Sequence, residues 1–127
     1  GEQMQNRVMY KQYLQAGGFK VMQIDATRVA GPQEIIIEYL LAKKFGVKVC
    51  PHAGGVGLCE AIIQLAMFDY VSVSGEMEDR VVEYVDNQHE YLVHPTVIRD
   101  GRYVAPLAPG NGTEMKLNEC MRYLHRN

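Results

Sequence analysis

Lys48-Val49-Cys50-Pro51-His52-Ala53-Gly54-Gly55-Val56-Gly57 is the stretch that decides how this chain reads. A short apolar run stops at Pro51, a titratable histidine follows, and three glycines lead into an apolar helical pattern. That order is a parallel strand, a tight turn and a helix, with His52 at the carboxyl end of the strand. In α/β folds ligands bind at that end, where the βα loops converge.

Working outward, Phe19 to Ile24 is a compact apolar run ended by Asp25 and reads as a buried strand. Gly31-Pro32 opens a helix from Gln33 to Phe45. Its Ile36, Ile37, Leu40, Leu41 and Phe45 recur at helical spacing, and Gly46 is the stop. Ahead of these, Met4 to Ala16 predicts a helix with Val8, Tyr10 and Leu14 near one face and Gly17-Gly18 as its end. Downstream, Leu58 to Phe68 places Leu58, Ile62, Leu65 and Met67 on an amphipathic helix, and Tyr70 to Val73 reads as a third strand.

Strand and helix therefore alternate as in parallel βαβ units. Right-handed crossovers bring Asp25, His52 and the segment after Val73 to the same rim of one sheet. From Glu76 the regularity fades. Asp79 to Asp86 is expected as a short helix and Tyr91 to Ile98 as extended chain. Asp100-Gly101 sits between Thr96–Arg99 and Arg102–Val104 as a hairpin turn. Pro106, Pro109, Gly110 and Gly112 mark an irregular tail.

With 127 residues, 47% of them apolar, the chain is the size of one domain with material for a sizeable core. Its net charge is −2 and it has no basic run, so neither nucleic acid nor an anionic membrane is an expected partner. No apolar segment approaches the ~20 residues that span a bilayer. Cys50, Cys59 and Cys120 are too few and oddly numbered for a disulfide scaffold, so reduced thiols in a cytosol-like compartment are expected.

His52 and Asp25 are the best catalytic pair. A carboxylate accepting one ring N–H holds an imidazole in a single tautomer and stabilises its charged form. Spacing alone leaves a second reading open, a solvated aspartate capping a loop and a histidine packed under a helix. Gly54, Gly55 and Gly57 lack the dinucleotide and triphosphate-loop patterns and fit a tight turn better than a phosphate cradle. Cys50, His52 and Cys59 match no zinc-ligand spacing. Glu83 lies among Glu76, Glu78, Asp79 and Asp86, which composition would read as a solvated acidic face, and Glu2 carries no signal of its own.

The run from Cys50 to Glu60 closely resembles L-fuconate dehydratases, acid-sugar dehydratases of the mandelate racemase subgroup in the enolase superfamily. Supporting matches are Gly1-Glu2-Gln3 with Asn6-Arg7, Gln23-Ile24-Asp25-Ala26 with Arg28, and Met77-Glu78-Asp79-Arg80 with Glu83-Tyr84-Val85-Asp86. Gly101-Arg102-Tyr103, Pro109-Gly110 and Glu114-Met115 extend them to the tail. Ala30 departs from the pattern, standing where a second glycine beside Gly31 is expected.

The resemblance implies the C-terminal part of a modified (β/α)7β barrel of the TIM type, an α/β fold, with about three parallel strands and their helices in residues 1–90. Residues 91–127 would be the returning segment of a capping domain. By position, Glu2 resembles the last of three carboxylate ligands for Mg²⁺, and Asp25 and His52 resemble the dyad on the sixth and seventh strands. Glu83, past the eighth strand, resembles the acid that hydrogen-bonds the substrate carboxylate. The family's base lysine and its first two metal carboxylates would precede residue 1; Lys43, Lys44 and Lys48 lie in the wrong place to act as base. A complete barrel needs roughly 250 residues.

The expectation is a fragment of a hydro-lyase, inactive alone, whose full-length form is a homo-oligomer acting on a small acid sugar in the cytoplasm, or the mitochondrion of a eukaryote. Its rivals are a dehydratase for another aldonate or aldarate, a non-catalytic truncated form acting as a binding or assembly module, and a flavodoxin-like or response-regulator-like module.

Overall fold

In the computed structural model, which describes residues 1–125, two βα units stand side by side. Helix α1 (Arg7–Gln15) leads to strand β1 (Val21–Met22), helix α2 (Pro32–Lys44), strand β2 (Lys48–Val49) and helix α3 (Leu58–Phe68). β1 and β2 pair in parallel with Val21 opposite Lys48 and Met22 opposite Val49. The alignment runs on past the strands: the Cys50 amide donates to Met22 O and the His52 amide to Ile24 O, both at 2.9 Å. That last bond sets His52 beside the Ile24-Asp25 peptide.

The first three helices each have a physical start. Asn6 accepts the amides of Val8 and Met9 at 3.1 Å, satisfying donors that α1 cannot. Pro32 opens α2, Glu34 lies in its first turn, and Lys43 and Lys44 close it, matching the helix dipole. Gly57, at φ 70°, adopts the left-handed conformation that turns the chain into α3. The main core gathers Tyr10 and Leu14 of α1, Met22, Ile24 and Val49 of the strand region, and Ile35, Tyr39 and Ala42 of α2. A smaller cluster of Ala53, Leu58, Cys59 and Ile62 lies under the turn after β2.

The third parallel strand expected at Tyr70–Val73 is absent, so the described sheet has two parallel strands, not three. Those residues belong to a π-helical continuation, Asp69–Ser74, that follows α3 directly. Nothing between Phe68 and Tyr70 breaks the helix; the left-handed stop comes only at Gly75, whose amide donates to Tyr70 O. Val71 is 77% exposed, which a buried strand would not allow.

The expected helix over Asp79–Asp86 is also missing; that segment has no regular structure beyond a turn. A 3-10 turn, His89–Tyr91, interrupts the chain expected to be extended from Tyr91, and Leu92 bridges to Met115. The hairpin forms as expected from β3 (Ile98–Arg99) and β4 (Arg102–Tyr103), with Asp100 and Gly101 both left-handed. The tail is not wholly irregular: Leu117–Arg122 forms α4. No helix among the described residues is long and apolar enough to cross a membrane.

α2 buries Glu38 completely, and neither of its carboxylate oxygens has a hydrogen-bond partner. Burial, helped by Glu34, pushes its pKa up to about 7, with Arg7 pulling the other way. A carboxyl whose pKa is raised on folding favours the fold while protonated. Its contribution is full below the ordinary carboxylate range and is lost as pH rises through about 7. Unfolding of Glu38→Gln should therefore match the parent near pH 4 and be harder than the parent at pH 8, by up to about 3 kcal/mol. Parallel denaturation curves for the two proteins at both pH values would show that Glu38 is not the titrating group.

Candidate active site

The rim where β1 and β2 end collects the titratable groups. Asp25, only 2% exposed, presents Oδ2 to His52 Nδ1 at 2.9 Å. Its other oxygen, Oδ1, accepts the Thr27 amide at 2.7 Å and the Thr27 hydroxyl at 2.6 Å. Burial is the largest influence on the Asp25 carboxyl and works against ionisation. The two Thr27 bonds and His52 together outweigh it and hold the pKa below the ordinary value. Asp25 is thus an ionised acceptor, and His52 donates to it from Nδ1, leaving Nε2 turned toward the rim.

Two further carboxylates face that atom. Glu2 Oε2 is 3.2 Å from Nε2 and Glu83 Oε2 is 3.8 Å away. Glu2 is brought in by α1: the Tyr10 hydroxyl is 3.0 Å from both Gly1 O and Gln23 O, tying the chain start to the β1 strand end. Arg28 crosses above, its guanidinium 3.4 Å from Asp25 Oδ2 and 3.2 Å from Glu2 O. Glu83 Oε2 accepts the Ala53 amide at 2.7 Å and the Gln23 side-chain amide at 3.3 Å.

All four residues singled out in the sequence, Glu2, Asp25, His52 and Glu83, therefore meet at one rim. Glu83 arrives on an irregular segment, not after a strand at Tyr70–Val73. Thr27, Gln23 and Arg28 complete the cluster; Gln23 and Arg28 stood in the sequence only as matches to the family pattern, with no site role, and Thr27 was not named. For Thr27 the Asp-x-Thr spacing is a recognisable turn signal; for Gln23 and Arg28 the family pattern and their place near the same strand end were the only signals.

Magnesium favours several hard oxygen donors in near-octahedral array. Glu2 supplies such oxygens, yet among the described residues no group of three or more histidine, cysteine, aspartate or glutamate side chains is disposed to hold a metal ion. The donor chemistry suits the ion; the number of donors gathered among the described residues does not.

Two βα units that end in an oriented imidazole and its carboxylate, with two more carboxylates brought to the same rim from the flanking segments, define an α/β protein with a cluster of titratable groups at its strand ends. The chain belongs to the enolase C-terminal domain-like family, which it matches over residues 1–119. It is 46% identical over 123 residues to L-galactonate dehydratase of Hypocrea jecorina, covering 97% of this chain and 27% of that protein. The crystal structure of human mitochondrial enolase superfamily member 1 superposes with a TM-score of 0.88 at 50% identity, over 93% of this chain and 27% of that one. L-talarate dehydratase from Polaromonas sp. JS666, complexed with Mg and L-glucarate, shares the fold with a TM-score of 0.75 at 22% identity, over 93% of this chain and 30% of that one. The chain spans little more than a quarter of the length of the Hypocrea jecorina and human relatives.

Proposed function

We propose that this chain is the C-terminal part of an acid-sugar dehydratase, with L-fuconate as the favoured substrate, and that His52 is its proton donor. The observation that carries the reading is the Nδ1–Asp25 bond of 2.9 Å, which leaves Nε2 facing the carboxylate-lined rim. The dehydratases among the relatives support the reaction class. In this reading, residues 1–90 form the end of a (β/α)7β barrel. Residues 91–127, of which 126 and 127 lie outside the described residues, return to a capping domain.

The chemistry follows from what the side chains can do. Loss of the proton next to the substrate carboxylate, to a base outside this chain, leaves an electron-rich ene-diolate. Expulsion of the 3-hydroxyl is slow while it must leave as hydroxide. Proton transfer from His52 Nε2 lets it depart as water, and the enol left behind tautomerises to the 2-keto-3-deoxy acid. Asp25 keeps the donating tautomer in place and stabilises the imidazolium before transfer. Glu83 is the acid that meets the substrate carboxylate by a hydrogen bond. Glu2 would be one ligand of a magnesium ion whose remaining ligands come from sequence outside this chain.

Full-length protein containing this segment, assayed with Mg²⁺ against L-fuconate and a panel of aldonates and aldarates, should release water from L-fuconate fastest. This chain by itself should show no turnover. A full-length protein that dehydrates no acid sugar would overturn the function. Ordinary turnover by this chain alone would overturn its reading as an incomplete site.

A further inference from the structure

Glu83 is held in place without a strand ladder. Its amide makes one long bond, 3.4 Å to Pro51 O, and the chain from 81 to 86 has no regular structure. Such a segment can slide or twist unless side chains fasten it. Two do. Cys59 Sγ donates to Val85 O at 3.2 Å and accepts from Val85 N at 3.4 Å, clamping the chain just beyond Glu83. The Tyr103 hydroxyl donates to the carbonyl of Glu83 itself at 2.5 Å.

Tyr103 belongs to β4 of the C-terminal hairpin, so the second fastening comes from a distant part of the chain. Its half-buried ring packs on the cluster of Ala53, Leu58, Cys59 and Ile62 and meets Tyr84 edge-on, with centroids 5.9 Å apart. The phenol is raised above its ordinary pKa, by burial first and then by Cys59, so it stays an O–H donor.

We propose that Tyr103 is a positioning residue: by holding the Glu83 carbonyl, it keeps the Glu83 carboxylate on the Ala53 amide and beside His52 Nε2. The C-terminal hairpin must then be docked for the site to be in order. The inference rests on the reading of Glu83 as the acid that meets the substrate carboxylate, but its geometric half can be tested without turnover.

Tyr103→Phe removes one oxygen and keeps the ring. In the full-length protein, hydrogen exchange at the Ala53 amide should speed up about 10-fold or more, while amides of α3 keep their protection. kcat/KM should fall about 10-fold or more, and in a Glu83→Gln background the same change should cost almost nothing further, since both act on one group. Unchanged exchange at Ala53 would overturn the proposal, as would fully multiplicative losses in the double variant. A Tyr103→Phe protein that does not fold would make the hydroxyl a general prop and would also overturn it. If no acid sugar is turned over, the dehydratase reading falls, and the Ala53 exchange alone decides Tyr103.

Discussion

His52→Asn in the full-length protein should lower kcat for dehydration by about 10²- to 10⁴-fold, the range expected when a positioned proton donor is removed. Asparagine has roughly the reach of Nδ1 and can still bond Asp25, so the rim should keep its shape. It offers no group that gives up a proton at neutral pH, so the 3-hydroxyl would again have to leave as hydroxide. Magnesium affinity, measured by calorimetry, should stay nearly unchanged, because the ring lies 3.2 Å from Glu2 Oε2 as a neighbour of that carboxylate, not as a metal donor. A variant that keeps its turnover would leave His52 without a chemical role. A variant that loses magnesium would make it a ligand.

The residues near the strand ends were the ones the sequence could place, and the reason is local. A strand stop at Pro51 and a glycine turn at Gly54–Gly57 are short-range events, and one βα unit earlier the same pattern ends at Asp25. Parallel pairing then makes the two residues neighbours with no further information. The hairpin was legible for the same reason, since Asp100 and Gly101 supply the left-handed pair that a tight turn requires. α3 matched because glycine precedes it and its apolar residues recur at the helical period.

Where the signal was not local, the reading missed. α2 is apolar almost all round, so its inward face could not be phased: Ile36 and Leu40 point outward, and Ile35, Glu38 and Tyr39 are buried instead. Tyr70 to Val73 has the β-branched composition of a strand, but the helix before it lacks a stop, and continuity overrode propensity. α4 starts at Lys116 with no side-chain cap, leaving nothing in the sequence to announce it. Glu83 looked like one of several surface acids because its partners come from three separate elements: Gln23 just past β1, Ala53 in the turn after β2, and Tyr103 in the hairpin. The family resemblance supplied its place; spacing could not.

Gly54→Ala is expected to have the second large effect, and through sterics alone. A Cβ at Gly54 would lie 2.6 Å from His52 Nε2 and 2.7 Å from Cε1, closer than side-chain carbons approach one another. The backbone there is not left-handed, so alanine meets no conformational obstacle of its own. The clash must be relieved by moving either the ring or the turn. If the ring moves, Nδ1 leaves Asp25 and Nε2 no longer faces the substrate. If the turn moves, the Ala53 amide leaves Glu83 Oε2, to which it is bonded at 2.7 Å. Both routes misplace a reacting group by a fraction of an ångström or more, a shift that can cost on the order of 10²-fold in rate. kcat should fall by about that factor with little change in thermal stability, because the glycine faces the rim and not the core. Gly55→Ala is the matched control: its Cβ would meet only Leu58, at 4.0 Å, and activity should survive. Equal activity in the two variants would mean that the imidazole does not stand where the proton has to be delivered.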